Sequence, residues 1–134
     1  METFHKTQGW SIVLADDCEN CLAVLSDILE LHGMVVHQAC DGIQALDLLE
    51  TLHPNAVLLD LHMPRLDGWD TLSVIRDNPH LADLPVIAIS AFSRLDREAK
   101  AAGFDGIIDK ITDADRIIQI IYQGVCDRQA AEGV

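Results

Sequence analysis

Apolar residues along this chain follow two alternating rhythms. Short unbroken runs, SIVLA (Ser11–Ala15), MVVHQA (Met34–Ala39), NAVLLD (Asn55–Asp60), LPVIAIS (Leu84–Ser90) and GIID (Gly106–Asp109), alternate with stretches whose apolar residues recur every three or four positions. The unbroken runs read as strands buried on both faces, because a strand covered on one face only would alternate. Between them, Leu22, Leu25, Ile28 and Leu29 share one helical face, stopped near Gly33. Ala45, Leu46, Leu49 and Leu52 form a second stripe, closed by His53-Pro54. Trp69, Leu72 and Ile75 mark a third helix, the more polar SRLDREAKAAG a fourth, and Ile117, Ile118, Ile121 and Val125 a fifth. Five strands alternating with five helices predict an α/β domain on a parallel sheet, with right-handed crossovers and helices on both faces.

Length adds one constraint: 134 residues make one domain with a proper core. The expected organisation is a single domain over 1–134, compact from about 11 to 126, with flexible tails at 1–9 and 127–134. The formal charge of −13 argues against binding nucleic acid or an anionic membrane surface. METFHKTQGW lacks the apolar stretch of a secretory signal, and no run approaches a membrane span, so a cytoplasmic location is expected. Four scattered cysteines do not make a disulfide framework. Cys18-Glu19-Asn20-Cys21 has the spacing of a redox pair, but its acidic neighbours disfavour a thiolate and a structural role is expected. No second such pair or spaced histidine pair suggests zinc.

Candidate chemistry collects at the strand ends, since open parallel sheets bind ligands beyond the carboxyl edge. Strand one ends in Asp16-Asp17, strand three in Asp60, strand four in Ser90 and strand five in Asp109-Lys110. A carboxylate closing an apolar run needs a partner, or its pKa rises until it is neutral. Asp16, Asp17 and Asp60 together would repel one another unless a divalent cation joined them. Oxygen-only donors favour a hard ion such as magnesium. With Lys110 and Ser90 alongside, the set suits a phosphoryl group, and Asp60 would be the nucleophile that forms an acyl phosphate.

The Asp16-Asp17 pair, the Asp60-Leu61-His62-Met63-Pro64 run with Asp67-Gly68, Ser90-Ala91 and Lys110 occur in order, each at a strand end. In this the chain resembles the receiver domain of two-component response regulators, from about Ser11 to Cys126. The resemblance implies a flavodoxin-like doubly wound sheet, order 2-1-3-4-5, with Asp60 as phosphoacceptor. It implies magnesium (or manganese) ligated directly by Asp17 and Asp60, through water by Asp16, and by the backbone carbonyl of His62. Ser90 and Ala91 would bind the phosphoryl group, Ser90 by a hydrogen bond, and Lys110 would pair with a phosphoryl oxygen. The donor would be a histidine kinase or a histidine phosphotransfer domain, docking on the first helix. A downstream protein target would use the fourth helix, strand five and the last helix. Without an output domain, such a chain acts by partner binding or phosphorelay, and its only catalysis is its own phosphorylation and dephosphorylation.

Two positions depart from the receiver pattern. Ile111 follows Lys110 where receivers carry a cis proline, and a cis bond before a non-proline costs roughly 2.5–4 kcal/mol. Ile107 occupies the switch position, where receivers often carry an aromatic ring, so signalling without a rotamer swing is expected. His62 and Phe92 flank the site, either as solvated loop residues or as controls on water reaching the acyl phosphate. Asp67-Gly68 reads as turn chemistry. Three other functions compete with phosphoacceptor signalling. They are a degenerate receiver acting as an unphosphorylated interaction module, a phosphohydrolase of the haloacid dehalogenase type, and a flavodoxin. The second lacks its acid/base Asp, since His62 stands there, and the third lacks a Ser/Thr/Gly-rich phosphate loop after strand one.

Overall fold

Each apolar run becomes a strand in the computed structural model, which describes residues 6–91, 95–110 and 113–132. The strands are β1 (Ser11–Ala15), β2 (Val35–Ala39), β3 (Ala56–Asp60), β4 (Val86–Ser90) and β5 (Gly106–Asp109). All neighbours pair in parallel, in the order β2-β1-β3-β4-β5, as expected of a flavodoxin-like sheet. The helices between and after them are α1 (Glu19–Leu31), α2 (Gly42–Leu49), α3 (Gly68–Asp77), α4 (Asp96–Ala102) and α5 (Ala114–Glu132).

Strand alternation splits the core in two. Ile12, Leu14, Leu58, Ile87, Ile89 and Ile108 face Leu22, Leu25 and Leu29 of α1 and Ile117, Ile118 and Ile121 of α5. Val13, Val57, Leu59, Val86 and Ala88 face Ala45 and Leu49 of α2, Leu72 and Ile75 of α3, and Ala99 of α4. Each fully buried Leu or Ile contributes about 1.5–3 kcal/mol. The central strands β3 and β4 are buried throughout, while the edge strands β2 and β5 are partly open, which is why the central runs carry no polar residue before their ends.

Three strands are shorter than their runs, β3 only by the polar Asn55. Met34 belongs to the cap of α1: Gly33 turns left-handed (φ 84°) and the Met34 N–H returns to Leu29 O at 3.1 Å. Pro85 has no N–H for the ladder, although its carbonyl accepts from Val57 N at 2.9 Å.

Parts of both expected tails lie within the described residues and are tied to the core. α5 runs on to Glu132 because Arg128 Nε reaches Asp105 Oδ1 at 3.0 Å, tying the last turns to the β5 approach. At the other end, Lys6 and Thr7 lie in a helical turn. Thr7 is buried, the Lys6 ammonium sits 5.4 Å from the centre of the Tyr122 ring, and Trp10 stacks on the same ring at 6.0 Å. Among the described residues, no helix is long and apolar enough to cross a membrane.

Candidate functional site

The sheet register places the polar strand ends in steps. Ala15 lies level with Leu59, Asp60 with Ile89, and Ser90 with Asp109, so Asp16, Asp60, Ser90 and Lys110 meet along one rim. By alternation Asp16, Asp60 and Lys110 continue the rows of Leu14, Leu58 and Ile108, on the side of α1 and α5. Ser90 continues the row of Ala88 on the other side.

Asp16, Asp60 and Ser90 are buried, and the Asp17 side chain faces solvent. Lys110 Nζ lies 3.0 Å from Asp60 Oδ2 and 3.4 Å from Asp16 Oδ2. The second oxygens are held by backbone: Asp60 Oδ1 accepts from His62 N, and Asp16 Oδ1 from Cys18 N, both at 3.0 Å. Asp16 Oδ2 is buried and accepts no hydrogen bond, the lysine lying near it without bonding geometry. Burial, followed by the contact with the Asp60 carboxyl, pushes Asp16 up to about 6, against the opposing pull of the Cys18 N–H and the Lys110 charge. Burial acts to lower the Lys110 pKa, but the hydrogen bond to Asp60 and the charges of Asp60 and Asp16 outweigh it and raise it.

Carboxylate oxygens of Asp16, Asp17 and Asp60 lie within 4.8 Å of one another. One lysine faces three acids, and one buried oxygen lacks a donor. A hard divalent cation would supply both the missing charge and the missing partner, so the cluster fits magnesium.

The loop after β3 is fixed from behind. Gly68 starts α3 against the end of β3, where a Cβ would stand 2.5 Å from Asp60 O and 2.9 Å from Leu61 Cα. Asp67 caps α3 by accepting from Asp70 N at 2.9 Å, which is the turn role expected of this pair. Arg65 adopts a left-handed backbone (φ 66°), disfavoured for a residue with a Cβ. Its guanidinium pairs with Asp41, a buried carboxylate that also caps α2 through Gln44 N at 2.8 Å. That hydrogen bond, opposed by burial and reinforced by Arg65, holds Asp41 below the usual carboxylate range.

The structure therefore brings Asp16, Asp17, Asp60 and Lys110 together and puts Ser90 at the adjoining strand end. Ala91 follows it, exposed, and the His62 side chain is exposed beside Asp60. Ile107 is half-buried against the core under α2, α3 and α4. Phe92, Ile111 and hence the Lys110–Ile111 bond lie outside the described residues. Sequence reasoning missed three neighbours of the site. Cys18 caps α1 through its sulfur, Cys21 Sγ stands 3.9 Å from Lys110 Nζ, and Asp41 pins Arg65. The cysteines left only their spacing as a signal, and Asp41 a capping Asp followed by Gln44 three residues on.

Comparison with known proteins identifies the family and the fold. The family model described as response regulator receiver domain matches residues 12–122. The polar-differentiation response regulator DivK of Brucella abortus is 28% identical over 113 residues, 83% of this chain and 92% of that protein. Protein PilG of Pseudomonas aeruginosa is 32% identical over 96 residues, covering 72% and 71%. Among solved structures, the receiver domain of sensor histidine kinase PA1611 from P. aeruginosa, with a magnesium ion in its active-site cleft, superposes with a TM-score of 0.80. It is 28% identical, and the match covers 88% of this chain and 98% of that one.

Proposed function

Because the chain belongs to the response regulator receiver domain family, we propose that Asp60 accepts a phosphoryl group from a phosphohistidine and that the protein signals in this form. One observation carries the reading: Asp60, buried at the end of β3, has one oxygen on Lys110 at 3.0 Å and the other on the His62 N–H, beside two further acids. A carboxylate oxygen of Asp60 attacks phosphorus as the bond to the donor imidazole nitrogen breaks. The electron pair stays with the imidazole, which regains a proton, and an acyl phosphate forms. Magnesium, or manganese in its place, would be held by Asp16, Asp17, Asp60 and the His62 carbonyl. When bound it neutralises charge on the transferring group.

Lys110 pairs with a phosphoryl oxygen, replacing its present contact with Asp60, and Ser90 and Ala91 receive another. Hydrolysis reverses the state: water attacks phosphorus, the Asp60 oxygen leaves as carboxylate, and inorganic phosphate departs. His62 and Phe92 control the approach of that water. Receivers of this family take phosphate from histidine kinases in general, and here a kinase or phosphotransfer domain would dock on α1. A groove of about 750 Å³ between β5 and α5, lined by Ile107, Asp109, Arg116 and Gln123 among others, supports a target face there. With Ile107 stiff at χ1 in the switch position, the response to phosphate stays small and local to the loops after β3 and β4.

Incubation with magnesium and acetyl phosphate, followed by intact-mass measurement, tests the proposal. The wild type should gain one phosphoryl group and Asp60→Asn none. An unmodified wild type, or an adduct that survives Asp60→Asn, overturns it.

A further inference from the structure

Cys18 and Cys21 open α1 at the edge of the acidic rim. Cys18 occupies the cap, and its sulfur accepts from Cys21 N at 3.3 Å, so it lies over the first turn beside Cys21. Both thiols are free and half-buried, within reach of a small oxidant. Each also touches the site. Cys18 N–H orients Asp16 Oδ1 at 3.0 Å, and Cys21 Sγ stands 3.9 Å from Lys110 Nζ.

We propose that Cys18 and Cys21 form a reversible oxidation site for peroxides, whose disulfide state weakens divalent-cation binding at Asp16, Asp17 and Asp60. The cation half of this rests on the receiver reading above. In the reaction an S–S bond forms and the O–O bond of hydrogen peroxide breaks. The two sulfurs lose two electrons to the peroxide, and the two thiol protons leave in two waters. Closing the S–S bond draws the Cys18 sulfur toward Cys21 and turns the residue whose N–H positions Asp16. It also takes the Cys21 sulfur away from Lys110.

The test uses the full chain. It is treated with hydrogen peroxide, its remaining thiols are alkylated, and its linkages are mapped by mass spectrometry before and after dithiothreitol. Magnesium affinity is read from thermal-shift titrations of the oxidised and reduced forms. A Cys18–Cys21 link should appear, and magnesium should bind about 10-fold more weakly, the size expected when a group orienting a metal ligand is disturbed. Affinity should return on reduction. Cys18→Ser keeps a capping oxygen and should lose the response, whereas Cys40→Ser/Cys126→Ser should retain it. The proposal falls if no such link forms where Cys40 is oxidised, if the linked protein binds magnesium unchanged, or if Cys18→Ser still responds. It falls too if the reduced protein binds no magnesium. Neither readout involves phosphate, so failure of Asp60 to accept it would count against the receiver reading alone.

Discussion

Two charged clusters sit at opposite ends of this sheet, and they are built on opposite principles. Beneath β4 and β5, Asp105 receives Arg76 on one oxygen and Arg128 on the other, each at 3.0 Å, while its Oδ2 also accepts from Val86 N. Arg76 further donates to the carbonyls of Ala82, Leu84 and Gly103. At the rim, one lysine stands against three carboxylates. Each cluster leaves one buried atom without a hydrogen bond, Arg76 Nε and Asp16 Oδ2. The arginine has four other bonds to hold it; the aspartate has one backbone N–H and a crowd of like charge. Charge that only supports a fold is closed by its own neighbours. The charge at the rim is not closed in this way, and a cation would close it.

The largest effect should come from opening the closed cluster. Asp105→Ala leaves Arg76 and Arg128 side by side with no carboxylate between them, and breaking such a pair typically removes roughly 3–5 kcal/mol. Urea unfolding should show that loss, whereas Asp60→Asn without metal should cost nothing and relieve repulsion. A destabilised Asp60→Asn beside an unaffected Asp105→Ala would invert the contrast.

Closing the open cluster should come next. Magnesium at 100 times its dissociation constant should stabilise the wild type by about 2.7 kcal/mol. Asp17→Asn/Asp60→Asn should gain little, and denaturation with and without magnesium measures both. An equal gain in the double variant would place the cation elsewhere.

The smallest effect is a pH slope. Folding raises Asp16 from 3.8 to about 6, so the fold binds that proton more tightly than the unfolded chain does. The stabilisation is complete below the unfolded value and disappears as pH rises through the folded one. Metal-free protein should therefore lose stability through this group from about pH 4 to pH 6. Asp16→Asn should flatten that window, and thermal melts across it would show an unchanged slope if Asp16 were not responsible.

The strands, both core faces and the four charged rim residues were readable because each depends on local periodicity and strand ends alone, whereas the strand order followed only from the resemblance to receiver domains. Leu58, Leu59 and Asp60 say at once that a strand is buried and that it stops in a charge. The Asp105 cluster was not readable. Arg76, Asp105 and Arg128 are ordinary surface types whose burial depends on how α3, the β5 approach and α5 converge. The continuation of α5 past Cys126 was missed for the same reason, since its anchor at Asp105 is distant in sequence. Cys18 and Cys21 were noticed for their spacing, yet their nearness to Lys110 follows only from the meeting of β1 and β5 ends across the sheet.

The stepped register of the strand ends has a kinetic consequence. Asp16, Asp60 and Lys110 come from distant segments, and the pairings β1–β3, β3–β4 and β4–β5 must all exist before their charges meet. A folding barrier crossed with β1–β3 unmade lacks the Asp16, Asp17 and Asp60 cluster. Magnesium should then lengthen the lifetime of the native state by slowing unfolding, and leave the refolding rate unchanged. Stopped-flow denaturant jumps separate the two limbs. Refolding accelerated by magnesium would mean that β1 and β3 are already paired at the top of the barrier.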